Sequence, residues 1–201
     1  MPVVKSVSKI KNKNNYNVVI DDKSYIFDED TILEYKLFKD KEIDSDFLNK
    51  ALETSDVHSY YDKAFKYSLK YAKGSNDVYQ YLIEKGLDCD KSREIVDKLV
   101  EKKIIDDSKI VEGIVYSLVK SYNGKKMIYE KLKQKKFDVS IINNALNNID
   151  YDLYIEYLNK LYEKIKDKYN KFDDYIRKNK IKSYLYQRGY DSNDISLINI
   201  E

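Results

Sequence analysis

The feature that most limits what this chain can fold into is a short pattern written into it three times. It reads Tyr81-Leu82-Ile83-Glu84-Lys85-Gly86-Leu87-Asp88, then Lys131-Leu132-Lys133-Gln134-Lys135-Lys136-Phe137-Asp138, then Tyr184-Leu185-Tyr186-Gln187-Arg188-Gly189-Tyr190-Asp191. Each copy holds a leucine, two intervening residues, a base, a turn residue, an apolar residue and an aspartate. The leucines stand 50 and 53 residues apart, a period that marks tandem supersecondary units. Gly74 and Gly124 each precede their leucine by eight residues. A helical repeat array is the expectation.

The first 27 residues read differently. Tyr16, Val18 and Ile20 alternate with Asn17 and Val19, and Tyr25 and Phe27 flank Ile26, the period of pleated strands. Asn12 to Asn15 and Asp21-Asp22-Lys23 supply turn chemistry between them. After Asp28 helical spacing begins, with Ile32, Leu33 and Leu37, then Asp44, Phe47, Leu48, Ala51 and Leu52. From Val57 onward the pattern is helix throughout. Val57, Tyr61, Ala64, Phe65 and Tyr71-Ala72 form one face ending at Gly74, and Ser75 is placed to cap a helix with Val78, Tyr81 and Leu82 that Gly86 stops. Ile95, Val96, Leu99, Val100 and Ile104 make the third helix of that unit.

In the next unit Ile110, Ile114, Leu118 and Tyr122 recur every fourth residue beside Val111, Val115 and Val119, an apolar stripe that must face a core. Gly124 is expected to end that helix; Met127, Ile128 and Leu132 mark the second, and Ser140 can cap a third with Ile141, Ile142, Ala145 and Leu146. The last unit carries Tyr154, Leu158, Leu161, Tyr162 and Ile165, then Ile181, Tyr184 and Leu185, then Ile195 and Ile198. The chain is thus expected to be mainly α. An N-terminal antiparallel β-meander with short helices (1–56) precedes three tandem three-helix repeats (57–106, 107–149 and 150–201) in an elongated curved array. Its apolar stripes are consumed by neighbouring repeats, which predicts a monomer.

Composition excludes several classes. The single cysteine, Cys89, rules out a disulfide framework, and with one histidine, His58, it cannot complete a zinc site. No segment resembles a signal peptide and no apolar run approaches a membrane span, so a cytoplasmic setting without membrane association is expected. The net charge is only +2 although 36% of residues are charged, so affinity for nucleic acid must come from local clustering.

The stretch Lys85-Gly86-Leu87, then Leu99 through Ile104-Ile105-Asp106-Asp107, then Gly124 through Lys136-Phe137 resembles the core of RecX, the bacterial regulator of the RecA recombinase. In that pattern a leucine-rich helix leads through an I-D-D junction to a helix, a glycine and an I-x-x-x-L-x-x-K-G segment. The strands followed by Glu29-Asp30-Thr31-Ile32 resemble the extension of low-GC Gram-positive members. The chain departs from the pattern at Lys136, where the family tends to have glycine, and in extra residues between Asp88 and Ile95. The resemblance implies binding to RecA and its nucleoprotein filament, modulation (usually inhibition) of its ATP-driven strand exchange, no cofactor, and a place in recombinational DNA repair and the SOS response. A stand-alone helical DNA-binding module is the alternative.

Two basic segments are the candidate binding residues. Lys120, Lys125, Lys126, Lys133 and Lys136, together with Lys131 and Lys135, have Glu130 as the only acid among them. They suit DNA phosphates or an acidic protein face, or form a solvated helix face. Arg177, Lys178, Lys180 and Arg188, with Lys182, form the second segment. Tyr122, Tyr129 and Tyr186 are the tyrosines expected at the surface, where rings can stack on bases. Asp106 and Asp107 stand between helices, with Asp107 or Ser108 as the expected N-cap rather than an acid pair. His58 is expected near a helix start and Cys89 in a loop between aspartates, and neither has a catalytic partner in the sequence. No phosphate-binding glycine loop or nucleophile elbow occurs. The chain reads as an interaction protein rather than an enzyme.

Overall fold

A computed structural model describes residues 1–11, 14–70 and 73–200. Asn12, Lys13, Tyr71, Ala72 and Glu201 lie outside it, and with them part of the first expected turn and the Tyr71-Ala72 end of the first helical face. The chain divides into two compact units, Met1–Tyr71 with Val78–Ile104, and Ala72–Asp77 with Ile105–Glu201.

In the first unit, strands β1 (Val4–Lys9), β2 (Asn15–Ile20) and β3 (Lys23–Asp28) form an antiparallel sheet in the order β1-β2-β3. Asp21, with φ of 50°, and Asp22 make the tight turn that pairs Ile20 with Lys23. Tyr16 faces Phe27 and Val18 faces Tyr25. Val4, Val18, Ile20 and Phe27 are buried beside Ile32, Leu37, Ile43 and Ala51. Asp28 ends the sheet and caps helix α1 (Glu29–Glu34), accepting the Thr31 amide at 2.9 Å.

Helix α2 runs without a break over Ser45–Lys70. The expected division at 56/57 falls inside it, because no glycine or proline interrupts these residues. Its four buried side chains, Ala51, Ser55, Ala64 and Ser68, are all small, which lets its backbone approach its neighbours closely. His58 therefore lies in mid-helix, where its Nδ1 stands 2.9 Å from Asp28 Oδ1 and 3.2 Å from Thr31 Oγ1. Ser55 Oγ accepts the Asp28 amide at 3.1 Å.

Two further helices follow, α3 (Ser75–Glu84) and α4 (Cys89–Glu101). The second unit carries α5 (Asp107–Lys120), α6 (Lys125–Gln134), α7 (Val139–Asn147), α8 (Tyr151–Ile165), a 3-10 turn (Lys166–Tyr169), α9 (Asp174–Gln187) and α10 (Ser192–Ser196). Its apolar side chains share one core, from Val111 through Leu132, Leu158 and Leu185 to Ile198.

The thrice-written pattern has a geometric cause. After α3, α6 and α9, residues Gly86, Lys136 and Gly189 take φ of 92°, 61° and 89°. In each case the amide of that residue donates to the carbonyl three residues back, Gly86 to Ile83, Lys136 to Lys133 and Gly189 to Tyr186. The next amide bonds the leucine carbonyl, as Leu87 to Leu82, Phe137 to Leu132 and Tyr190 to Leu185. The closing aspartate then caps the following helix: Asp88 for α4, Asp138 for α7 and Asp191 for α10. Lys136 adopts the same left-handed conformation as the glycines, so this departure from the family pattern leaves the backbone path intact.

Several local expectations change. Gly124 is the N-cap of α6 rather than the end of α5, and the left-handed residue after α5 is Tyr122, with φ of 62°. Asp106, not Asp107 or Ser108, caps α5. Asp107 instead accepts the Ser75 amide at 2.8 Å and its hydroxyl at 2.5 Å, so Ser75 is the first residue of α3 and not its cap. Asp138 replaces Ser140 as the cap of α7. Cys89 opens α4 rather than lying in a loop. No extra residues separate Asp88 from Ile95, since α4 and α7 both start directly after their aspartates; fully buried Ser92 takes the place that Ile142 fills in α7.

Two glycines lock the middle repeat to the last. A Cβ on Gly124 would stand 2.3 Å from the backbone of Gly189 and Tyr190, and one on Gly189 would stand 2.4 Å from the Met127 nitrogen. This approach lets the Gly124 amide donate to Arg188 O at 2.8 Å and the Lys126 amide to Gly189 O at 3.1 Å. Gly124→Ala is expected to cost about 3 kcal/mol by overpacking. Gly113→Ala, in the exposed middle of α5 with nothing within 4 Å of the new methyl, should gain about 0.5–1 kcal/mol. Urea midpoints of the two variants against the parent check both signs.

The Asp28 cap makes a pH-dependent contribution. Burial pushes its carboxyl up, but hydrogen bonds from the Thr31 hydroxyl and amide, His58 and Ser55 outweigh it and hold the group below the ordinary carboxylate range. A lowered folded-state pKa gives stability that is full above the unfolded value and lost as pH falls through the folded one. Asp28→Ala should therefore cost about 1 kcal/mol near neutral pH. That deficit should shrink as the pH falls below about 4, measured by unfolding parent and variant across the range.

Candidate functional site

The basic segment of the middle repeat centres on α6. Lys125, Lys126, Lys133, Lys135 and Lys136 are exposed. Residues 107–149 hold eight lysines against four acids, and among the described residues none of the lysines from 120 to 136 makes an ion pair. Lys126, Tyr129 and Lys133 follow at i, i+3 and i+7 and so share one stripe of the helix. Lys133 Nζ stands 5.9 Å from the Tyr129 ring centroid. Lys120 lies at the end of α5, its Nζ 4.9 Å from the Tyr116 ring centroid. Lys131 is different, because its ammonium donates to Oδ1 of the buried Asn123 at 3.0 Å.

The helix dipole separates these lysines by role. Cations in the last turn, here Lys131 and Lys133, are favoured by the partial negative charge of the C-terminus. Lys125 and Lys126 open α6, where the partial positive charge of the N-terminus disfavours them. Every other α-helix except α7 carries an acid in its first turn; α6 carries none. Lys125 Nζ stands 5.4 Å from the Tyr154 ring centroid, an attraction that offsets part of this cost. Among the described residues Lys126 makes no ion pair or ring contact, so stability does not explain its position.

Their backbone is nonetheless fixed. The Lys125 amide donates to the Tyr154 hydroxyl at 3.2 Å, and that hydroxyl donates to Asp194 Oδ2 at 2.9 Å. Burial pushes the Tyr154 phenol well up from its ordinary value. This connection links residues 29 and 40 positions apart, and no local sequence signal could have revealed it. The long side chains of Lys125 and Lys126 are thus presented from a rigid first turn.

The second segment divides. Arg188 donates from Nε to Tyr122 O at 3.0 Å and from a terminal nitrogen to Ser121 O at 2.6 Å. Its guanidinium ties the last repeat to the end of α5 and has little left for a partner. Arg177 and Lys178 share Asp174, at 3.6 Å and 3.2 Å. Lys180 Nζ stands 4.6 Å from the Phe172 ring centroid and is exposed. Of the three tyrosines expected at the surface, Tyr186 is 49% exposed, whereas Tyr122 and Tyr129 are partly buried against the core.

The carboxylates and other titratable groups considered for chemistry have structural partners. Asp106 accepts the Lys109 amide at 3.1 Å, Asp107 holds Ser75, and His58 holds Asp28. Among the described residues no three His, Cys, Asp or Glu side chains are grouped to hold a metal ion, and no helix is long and apolar enough to cross a membrane. The α6 surface offers charge, and charge alone can dock a polyanion or an acidic face.

Comparisons with known proteins fit this architecture. The family description "RecX, third three-helix domain" matches residues 152–198, the span of α8, α9 and α10. The chain is 27% identical over 203 residues to Regulatory protein RecX of Oceanobacillus iheyensis, covering 98% of this chain and 75% of that protein. It is 29% identical over 194 residues to Regulatory protein RecX of Clostridium tetani, covering 94% and 88%. A crystal structure of regulatory protein RecX shares the fold over the full length of both chains, with a TM-score of 0.90 at 22% identity. RecX from Lactobacillus salivarius aligns with 72% of this chain and 94% of its own, with a TM-score of 0.67 at 26% identity. With an N-terminal sheet, three-helix repeats and a likeness that runs from end to end, the chain has the fold of RecX and is similar along its whole length to RecX regulatory proteins.

Proposed function

We propose that this protein regulates a RecA recombinase, binding RecA or the RecA–DNA filament and inhibiting its ATP-driven strand exchange. The reading is supported by the end-to-end likeness to RecX proteins and carried by one observation, the exposed lysines at the N-terminal turn of α6, of which Lys126 has no ion pair or ring contact among the described residues. Lys126 is held by a fixed backbone where the helix dipole opposes it and no internal group offsets the cost, so its placement serves an outside partner rather than the fold, while Lys125 beside it also leans on the Tyr154 ring. Lys120, Lys133 and Lys136 extend the basic surface around them, and Lys180 with Arg177 and Lys178 is a secondary contact region. Such a surface meets filament phosphates or an acidic protein face, with direct DNA contact as a weaker component. The protein acts as a cytoplasmic monomer and carries no catalysis or cofactor in this reading.

The test is DNA-dependent ATP hydrolysis by the cognate RecA. Sub-stoichiometric amounts of this protein should suppress it. The Lys125→Glu, Lys126→Glu double variant should bind the RecA–DNA filament more weakly by about 1 kcal/mol per contacting residue and show a shallower salt dependence. The single Lys126→Glu variant should also unfold at higher urea, by about 0.3–1 kcal/mol, because acids suit a helix N-terminus and no internal contact of Lys126 is lost. Opposite signs for binding and stability separate a partner surface from a solvated one. If the parent binds DNA yet leaves ATP hydrolysis unchanged even in excess, the chain is a DNA-binding module and not a recombinase regulator.

A further inference from the structure

The outer side of α9 is unlike that of α6. A cleft of about 380 Å³ lies between α9 and the 3-10 turn. Asn179, Ser183 and Gln187 line it at i, i+4 and i+8, so they form one row about 12 Å long. All three are exposed, and among the described residues none makes a side-chain hydrogen bond within the protein. In the register set by Leu132 and Leu185, the matching α6 residues are Lys126, Glu130 and Gln134. A row charged at two of its three positions in α6 is wholly neutral in α9.

Two tyrosine rings, Tyr169 and Tyr184, share the cleft with this row. Both are partly buried against the core, which fixes their positions. The Lys168 ammonium stands 5.7 Å from one ring centroid and 5.9 Å from the other, so the rings are neighbours. Residues 164–182 hold eight bases against three acids. Among the described residues Lys168, Lys171, Lys180 and Lys182 make no ion pair. Fixed aromatic rings, a row of neutral donors and acceptors, and surplus cations thus meet at one place. A solvated face needs only the cations; a face for another helix would be apolar along its length, whereas Ile176, 42% exposed, is the only aliphatic side chain lining this cleft among the described residues.

We propose that this cleft binds single-stranded nucleic acid. Base rings lie against Tyr169 and Tyr184, base edges meet the row from Asn179 to Gln187, and phosphates meet Lys168 and Lys180. Duplex is excluded by the same chemistry, because its base faces are stacked inside the helix and leave the tyrosines nothing to hold. This activity is independent of the recombinase reading and needs no protein partner.

The test is fluorescence anisotropy of a short fluorescein-labelled oligothymidylate with the full chain and no recombinase. Saturable, salt-sensitive binding is expected. Tyr169→Ala should weaken it about tenfold, and Asn179→Ala with Gln187→Ala should weaken it measurably. Tyr184→Leu keeps the apolar bulk that packs on the core and removes only the ring, so its loss of affinity with an unchanged circular dichroism melt excludes misfolding as the cause. Unlabelled duplex and polyglutamate should compete far less well than unlabelled single strand. Absence of binding overturns the proposal, as does equal competition by duplex or polyglutamate. So does an outcome in which the cleft variants bind like the parent while Lys125→Glu, Lys126→Glu abolishes binding, which would assign the strand to α6. The ATP-hydrolysis assay reads the recombinase hypothesis separately, so either idea can fail alone.

Discussion

The turn that closes each middle helix sends one residue into the left-handed region, and most of the helical architecture follows from what that conformation exposes. Two amides fold back onto the last helical carbonyls, satisfying groups that a helix end otherwise leaves without partners. The apolar residue that follows is thrown inward, and the aspartate after it reaches the amides of the next helix. In the last repeat the turn has a further task. Its carbonyls at Arg188 and Gly189 point away from α9 and receive the first amides of α6, which requires two glycines in near backbone contact. A single local geometry thus ends one helix, begins another and fastens a neighbour.

Because those amides are satisfied by protein groups, α6 does not need an acidic residue at its start to accept hydrogen bonds. That frees the position for lysine, whose charge the fold tolerates at a small cost. Arg188 shows the opposite use of a base: its planar fork is matched to two carbonyls and serves cohesion. Residue type alone does not separate the two roles. The number of internal acceptors within reach of each cation does.

Much of this was legible in the sequence, and what was missed has a common cause. The meander, the buried valines of α5 and the tyrosine-leucine face of α8 follow from period and turn chemistry, which are local. The left-handed turns were visible as glycines at two sites and hidden at Lys136, where only alignment with the other copies gives it away. Cap assignments went wrong wherever serine and aspartate stood close together, at Asp106-Asp107-Ser108 and Asp138-Val139-Ser140. The choice there depends on which oxygen reaches the amides, and Asp107 was drawn off to Ser75, 32 positions away. The Tyr154 link and the Arg188 tie also join distant positions, so charge clustering groups Arg188, bound to two carbonyls, with Lys180, which is exposed. The expected division at 56/57 differs for a local reason, since it falls within the unbroken α2. That division stands beside a polar stretch, Glu53 to Asp56, yet nothing in it breaks a helix.

That unbroken α2 makes the sheet and the first helical repeat mechanically one object. Its N-terminal half is buried through Ala51 and Ser55, and its C-terminal half through Ala64 and Ser68. A polar stretch that would ordinarily hinge is therefore clamped on both sides. Opening the sheet alone would strip the contacts of half a helix whose other half stays packed, leaving hydrogen-bonded turns projecting into water. Such a partly opened species has little to stabilise it. Amide exchange along α2 should accordingly proceed through one cooperative opening shared by β3 and α4, rather than through a gradient from the N-terminus. A fragment cut at the apparent joint would begin in the middle of a helix, with no cap and with half of its packing face gone.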